Sequence, residues 1–220
     1  MKGRALPAAR AALVAAMRDL DARGLNVGTT GNASCRVDGG VLITPSGVPV
    51  PTLDEGSLVL LGPDGATSGP GRPSSEWRFH VDLFAARPEI GAIVHTHSTF
   101  ATALACTGRG IPAFHYMVAA AGGSAVPIAG YATFGTAELS ANVVAALSGC
   151  RACLIANHGV VVLGDDLDAA VTLAAYVENL AQMYVVALGI GGAELLDDTE
   201  MARVIAKFQG YGVAGHGRSP

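Results

Sequence analysis

The chain has 220 residues, 50% of them hydrophobic and only 15% charged, which suits one domain with a large buried core and excludes an intrinsically disordered chain. A net charge of −4, with no cluster of lysines and arginines, argues against non-specific nucleic-acid binding. An average globular chain carries about 25% charged residues, so the low charge leads us to expect that part of the surface is covered by further copies of the chain.

Residues 1–17 carry Arg4 and Arg10 and lack a continuous apolar stretch, so no signal peptide is expected. The longest stretch without acidic or basic charge, residues 110–137, is broken by Gly122, Gly123, Pro127, Gly130 and Gly135 and is not expected to span a membrane. Cys35, Cys106, Cys150 and Cys153 follow no disulfide-rich spacing and point to a reducing, cytoplasmic setting. Cys150 and Cys153 make a lone C-x-x-C that ends a helical pattern and enters a strand, the reverse of the order a redox motif needs.

The first helix is announced by Pro7, by Leu13, Val14, Met17 and Leu20 at helical spacing, and by Gly24 as its stop. A small polar loop follows at 25–34; its Gly28 and Gly31 allow close backbone approach to a ligand, although a plain glycine turn explains it as well. A strand at 34–37, a turn at 38–40 and a return at 41–43 read as a hairpin, after which Thr44, Pro45, Ser46 and Gly47 form a second hydroxyl-and-glycine loop. Another strand is expected at 58–61 and a turn at 63–65.

Pro73, Ser74, Ser75 and Glu76 open the next helix, with Ser74 or Ser75 as N-cap, Glu76 in the first turn, and Trp77, Phe79 or His80, Val81 and Phe84 facing the core. By position alone Glu76 is a carboxylate favoured at the positive end of a helix. Its functional alternative is a site where the serine hydroxyls and free N–H groups bind an anion while Glu76 points at a metal.

The following strand, 93–97, ends in His95-Thr96-His97. Residues two apart in a strand share a face, so this spacing puts two imidazoles side by side with Thr96 turned away. One histidine among apolar residues is usually a hydrogen-bonded core residue; two on one buried face favour a metal. His158 lies between strands expected at 153–155 and 160–163, where a turn could aim it at the same point, and three imidazoles with one open position are the usual ligation of a catalytic zinc.

A helix is expected at 99–107, an extended segment at 111–117 that includes Tyr116, a glycine loop, and a helix capped by Thr136 that carries Leu139, Val143 and Leu147. A long helix at 166–188 contains Glu178, Asn179 and Gln182, which argue against a membrane span, and a last amphipathic helix covers 199–207. The tail beyond Tyr211 is expected to be mobile.

The ordered set LNVGTTGN, LITPSGVP, PSSEWRFH, VHTH, IPAFHYMVAAAGG, YATFGTAELS, NHG and KFQGYG, spread from about residue 10 to 213, resembles the class II aldolase and adducin family, closest to its fuculose-phosphate aldolase branch. The resemblance implies an α/β fold, a three-layer αβα domain over residues 1–213 with a mostly antiparallel sheet, a short tail at 214–220, and a cyclic homotetramer. It implies Zn2+ on His95, His97 and His158, with Glu76 as the acid/base residue that also caps the metal. Thr29, Asn32, Ser46, Gly47, Ser74 and Ser75 would hold a substrate phosphate; Tyr116 would serve the aldehyde oxygen, and Phe134 and Tyr211 would lie near it at a subunit boundary. Asn157 departs from the family pattern, which has a histidine there, and could alter hydrogen bonding around the metal.

The implied reaction is cleavage of a ketose 1-phosphate, such as L-fuculose 1-phosphate, to dihydroxyacetone phosphate and a small aldehyde. Alternatives within the family are a 5-deoxyribulose 1-phosphate aldolase, a 4-epimerase of pentulose phosphates and a methylthioribulose 1-phosphate dehydratase. The small polar loops contain no lysine, so a Schiff-base route has no candidate, whereas a divalent cation can stabilise the enediolate left by cleavage. A carboxylate beside the metal could move the carbon-bound proton if burial raises its pKa towards neutrality. A zinc hydrolase of H-x-H-x-D type is disfavoured because Thr99 stands where the Asp belongs, and a non-enzymatic adducin-like role has no use for three ligands.

Overall fold

Alternation along the central strands decides the architecture, because each strand carries one apolar set to each side. The computed structural model describes residues 5–210, with side chains placed through Phe208. The strands are β1 (Asn32–Val37), β2 (Gly40–Ile43), β3 (Val59–Leu61), β4 (Thr67–Ser68), β5 (Ala92–Thr96), β6 (Ile128–Ala129), β7 (Ala152–Ile155) and β8 (Gly159–Gly164). They form one sheet in the order β4-β3-β2-β1-β5-β8-β7-β6. Every pairing is antiparallel except β6 with β7.

Ile43, Val59, Ile93, Cys153, Val161 and Leu163 lie in one buried cluster with Phe79, Leu83, Leu139 and Val143. Those last four belong to α2 (Trp77–Ala86) and α4 (Ala137–Ala146), which also pack on each other. Ala33, Leu42, Val94, Leu154, Val160 and Val162, the alternate residues of the same strands, join a second cluster. It is covered by α1 (Leu6–Ala22), α3 (Thr99–Cys106) and α5 (Leu167–Gly189), and α6 (Asp198–Gly210) adds Met201 at its edge. The result is the three-layer α/β domain implied by the motifs, with a mostly antiparallel sheet buried on both faces.

Among the described residues α5 is long and apolar enough to cross a bilayer by length and composition, yet it packs lengthwise on β8, β5 and α3. Its Glu178 carboxylate accepts hydrogen bonds from the N–H groups of Phe100 (2.8 Å) and Ala101 (3.0 Å). One acidic side chain thus satisfies two orphan donors of the first turn of α3 and meets the positive end of its dipole.

Several local expectations change. Helix α2 begins one residue later than expected, so Glu76 is its N-cap residue rather than a first-turn residue. Ser74 does not cap the helix but closes a small turn by accepting the N–H of Glu76 at 3.3 Å. Trp77 stands at the surface beside the Arg78 guanidinium instead of in the core, while Phe79 and His80 are both buried. The segment expected to be extended through residue 117 turns into a 3-10 helix at Tyr116–Ala121, because His115 Nδ1 accepts the N–H of Met117. Cys150 and Cys153 are unbridged, and burial pushes both thiols up. The tail expected beyond Tyr211, and Tyr211 itself, lie outside the described residues.

Glu178→Ala removes a charged acceptor from two N–H groups at once and should lower stability by about 2 to 4 kcal/mol, read as a shift in the urea midpoint with the slope unchanged.

Candidate active site

His95 points from β5 into the α2 side of the sheet and is fully buried. Strand β5 ends at Thr96, so His97 sits one residue past it, but the two rings keep the common direction that the i, i+2 spacing dictates, with centroids 4.8 Å apart. His158 arrives from the turn between β7 and β8, closed by a 3.1 Å bond from its N–H to the Ile155 carbonyl. Asn157 in that turn has φ 54°, a left-handed conformation that asparagine tolerates better than most residues. Gly159 is the reason the turn can reach the pair: a Cβ there would stand 2.4 Å from the Thr96 oxygen and 3.0 Å from the His97 ring. The His158 centroid is 4.9 Å from that of His95 and 5.0 Å from that of His97.

Glu76 completes the cluster from the start of α2. Its Oε2 is 3.1 Å from His95 Nε2 and accepts a 3.0 Å bond from Asn32 Nδ2. Its buried Oε1 lies 3.0 Å from His158 Nε2 and has no other polar partner among the described residues. His95 Nδ1 is 2.8 Å from the Val160 carbonyl, to which it donates; in the neutral ring this turns the Nε2 lone pair towards Glu76 and towards His97 Nε2, 2.9 Å away. One ligand atom from each of Glu76, His95, His97 and His158 falls within 4.8 Å of every other.

Bond lengths of 2.0–2.1 Å to a tetrahedral zinc place donor nitrogens about 3.3 Å apart. Three converging imidazoles and an orphaned carboxylate oxygen therefore fit a divalent cation. The carbonyl-anchored Nδ1 of His95 is the outer contact that orients such a ligand.

Without an ion, the electrostatics of the cluster are set by its own groups. Burial raises the Glu76 carboxyl, but the charge of His95 and the close approach of His158 and His95 outweigh it and hold the group well below the usual carboxylate range. Without an ion, the imidazoles therefore outweigh the burial that alone would raise Glu76. Burial, then the charges of His95 and His158, lower His97 to about 4. His95 moves the other way: burial lowers it, but the charge and hydrogen bond of Glu76 bring it above its ordinary value.

Thr29, Asn32, Ser46, Gly47, Ser74 and Ser75, the six residues expected around a phosphate, all line one cleft of about 330 Å³ together with Glu76, His97, His158 and Phe134. Its other walls include Asn157, expected near the metal, and Thr30, Tyr131 and Ala132, which sequence reasoning did not assign to the site; the aromatic spacing of Tyr131 and Phe134 was the available signal. Tyr116 is not in this cleft. It is half exposed and lines a separate groove of about 950 Å³ with Phe114, Met117 and Tyr176.

Residues 11–185 match the family model described as Class II Aldolase and Adducin N-terminal domain. The chain is 52% identical over 205 residues to a 5-methylthioribulose-1-phosphate/5-deoxyribulose-1-phosphate aldolase of Rhodospirillum rubrum, covering 93% of both chains. It is 46% identical over 191 residues to the L-fuculose phosphate aldolase of Escherichia coli, covering 86% of this chain and 89% of that one. A solved structure of an L-fuculose 1-phosphate aldolase superposes with a TM-score of 0.88 at 37% identity, covering 91% of this chain and 96% of the other. The chain belongs to the class II aldolase and adducin family, and within it groups with the aldolases.

Gly159→Ala should force the His158 turn away from Thr96 and His97 and remove bound metal. Elemental analysis should find the purified variant nearly metal-free with its far-ultraviolet circular dichroism unchanged; a fully loaded variant would show that the close approach is not what builds the site.

Proposed function

We propose that the protein is a zinc-dependent aldolase that cleaves a ketose 1-phosphate to dihydroxyacetone phosphate and a small aldehyde. The observation that carries this reading is that three imidazoles and Glu76 share one cleft with two hydroxyl-and-glycine loops. Of the possible ketoses we favour 5-deoxyribulose and 5-methylthioribulose 1-phosphate, because the relative named for them matches more closely and over more of the chain than the L-fuculose phosphate aldolase. L-Fuculose 1-phosphate is the second reading, supported by the aldolase structure of TM-score 0.88. The wall of Tyr131, Ala132 and Phe134 suits the apolar end of any of these sugars.

His95, His97 and His158 would hold the ion, which supplies Lewis acidity for the negative charge that cleavage leaves next to the ketose carbonyl. The hydroxyls of Thr29, Ser46, Ser74 and Ser75 and the backbone at Gly47 would grip the phosphate and so set the reacting carbons beside Glu76. In cleavage Glu76 would deliver a proton to the carbon left as an enediolate, and in its ionised form it would take that proton back in the reverse direction.

In cleavage the hydroxyl on the carbon that becomes the aldehyde must give up its proton, and among the described residues the cleft offers no tyrosine beyond Tyr131 at its rim. We assign its removal, and its return in the reverse direction, to Tyr116 of a neighbouring subunit. Tyr116 lies outside its own chain's cleft, and exposed Tyr116, Tyr131, Phe134 and Tyr176 suit an assembly, which we propose to be a tetramer.

Zinc-loaded protein should release dihydroxyacetone phosphate from a panel of ketose 1-phosphates, fastest from the 5-deoxy and 5-methylthio pentuloses; no release from any of them would refute the reading. Glu76→Gln should retain phosphate binding while carbon-bound proton exchange in dihydroxyacetone phosphate falls by about 10² to 10⁴. Tyr116→Phe should lose cleavage by a similar factor yet leave that exchange much less affected, since dihydroxyacetone phosphate presents no aldehyde oxygen. Equal losses in both assays would remove Tyr116 from its assigned role.

A further inference from the structure

Strand β1 turns Asn32 and Ser34 to the same face, and α2 brings Glu76 and His80, four residues apart, to meet them. The two pairs interlock. Ser34 Oγ is 2.7 Å from His80 Nδ1, His80 Nε2 is 2.5 Å from Asn32 Oδ1, and Asn32 Nδ2 is 3.0 Å from Glu76 Oε2. All four side chains are buried, Ser34 and His80 completely.

The direction of every proton in this chain follows from its last member. An ionised carboxylate only accepts, so Asn32 must turn its NH2 to Glu76 and its carbonyl oxygen to His80. That oxygen needs a donor, which makes His80 the neutral Nε2–H tautomer, and the remaining Nδ1 lone pair must take the Ser34 hydroxyl proton. The imidazole stacks on Phe79 with centroids 4.6 Å apart, an apolar setting for an uncharged ring. Burial, then the charge of His95, lowers His80 to about 3.

We infer that Ser34 and His80 are positioning residues that lock the Asn32 amide in the one orientation useful to the cleft. Asn32 lines that cleft, and its NH2 has a second hydrogen beyond the one given to Glu76. Flipped, the amide would set its oxygen against the Glu76 carboxylate and present the wrong polarity to an anion. The Glu76 carboxylate sets this orientation from one side, and the His80 N–H holds it from the other. The inference rests on the proposed function only for the identity of the anion as a phosphate.

Two measurements test it. Long-range proton–nitrogen correlation spectra of 15N-histidine protein should show His80 as the neutral Nε2–H tautomer from about pH 5.5 to 8.5; an Nδ1–H tautomer or a protonated ring overturns the chain of donors whatever the protein catalyses. Inorganic phosphate titrations of zinc-loaded His80→Phe, Asn32→Ala and the double variant form the second. His80→Phe leaves a buried amide oxygen without a donor and should weaken phosphate binding about tenfold, but should change it less than about twofold once Asn32 is alanine.

His80→Gln, which restores an N–H near the Nε2 position, should recover most of the affinity. Additive losses in the cycle, or equal losses for His80→Gln and His80→Phe, would make His80 a packing residue and overturn the inference. Absence of phosphate binding in the unsubstituted protein would instead remove the proposed function, with the tautomer spectrum still deciding the chain.

Discussion

Convergence of lone pairs on one buried point is the constraint around which this molecule is arranged. His95 Nε2 stands 2.9 Å from His97 Nε2 and 3.1 Å from a carboxylate oxygen, and such groups do not approach one another without something positive between them. One proton on His95 can be shared with Glu76, but it leaves His97 unserved: two unit charges about 4 Å apart near a protein surface repel by about 4 kcal/mol, and burial adds a cost for each charge. A single divalent cation meets the need of all four ligands together, which is why we read the cluster as a metal centre rather than as a buried polar core.

The topology follows from delivering four ligands to that point. Strand β5 lies between β1 and β8, so the segment with the histidine pair is flanked by the strand that carries Asn32 and by the strand that begins just after His158. Register sets Asn32 opposite His95 and Val161 opposite the same residue, so the neighbours meet the site at its own level. Helix α2 must then start where the sheet ends, and it does so at Glu76, whose place at the N-cap frees the carboxylate from the helix and turns it inwards. The apolar faces hold this frame rigid, because both sides of the central strands are closed by helices.

Much of this was legible in the sequence, and the reasons differ by residue. H-x-H in a strand carries its own geometry, so His95 and His97 could be paired without knowing the fold. His158 and the two polar loops lacked that property: only the ordered motifs joined them to the pair, since sequence distance says nothing about contact. Strands β4 and β6, with two residues each, are too short to show a period. Trp77, the first residue of α2, stands at the exposed end of the helix beside Arg78, where an apolar residue type alone does not show which way it faces. His80 stood in plain view four residues after Glu76, but a buried histidine reads as core until its partners are known.

Tyr116 shows where a single chain stops being the right unit of description. Folding places the imidazoles, the carboxylate and the polar loops in one cleft, and leaves this tyrosine half exposed in another groove beside Tyr176 and Phe114. On the proposed reaction a base alone is incomplete, since breaking a carbon–carbon bond moves one proton at carbon and another at oxygen. Within the chain these two tasks are separated, and an assembly that brought a neighbour's Tyr116 to the cleft would reunite them. The same assembly would account for a composition with 15% charged residues. Exposed aromatic rings that cost solubility in a monomer become, on this reading, the contacts that place the group serving the oxygen.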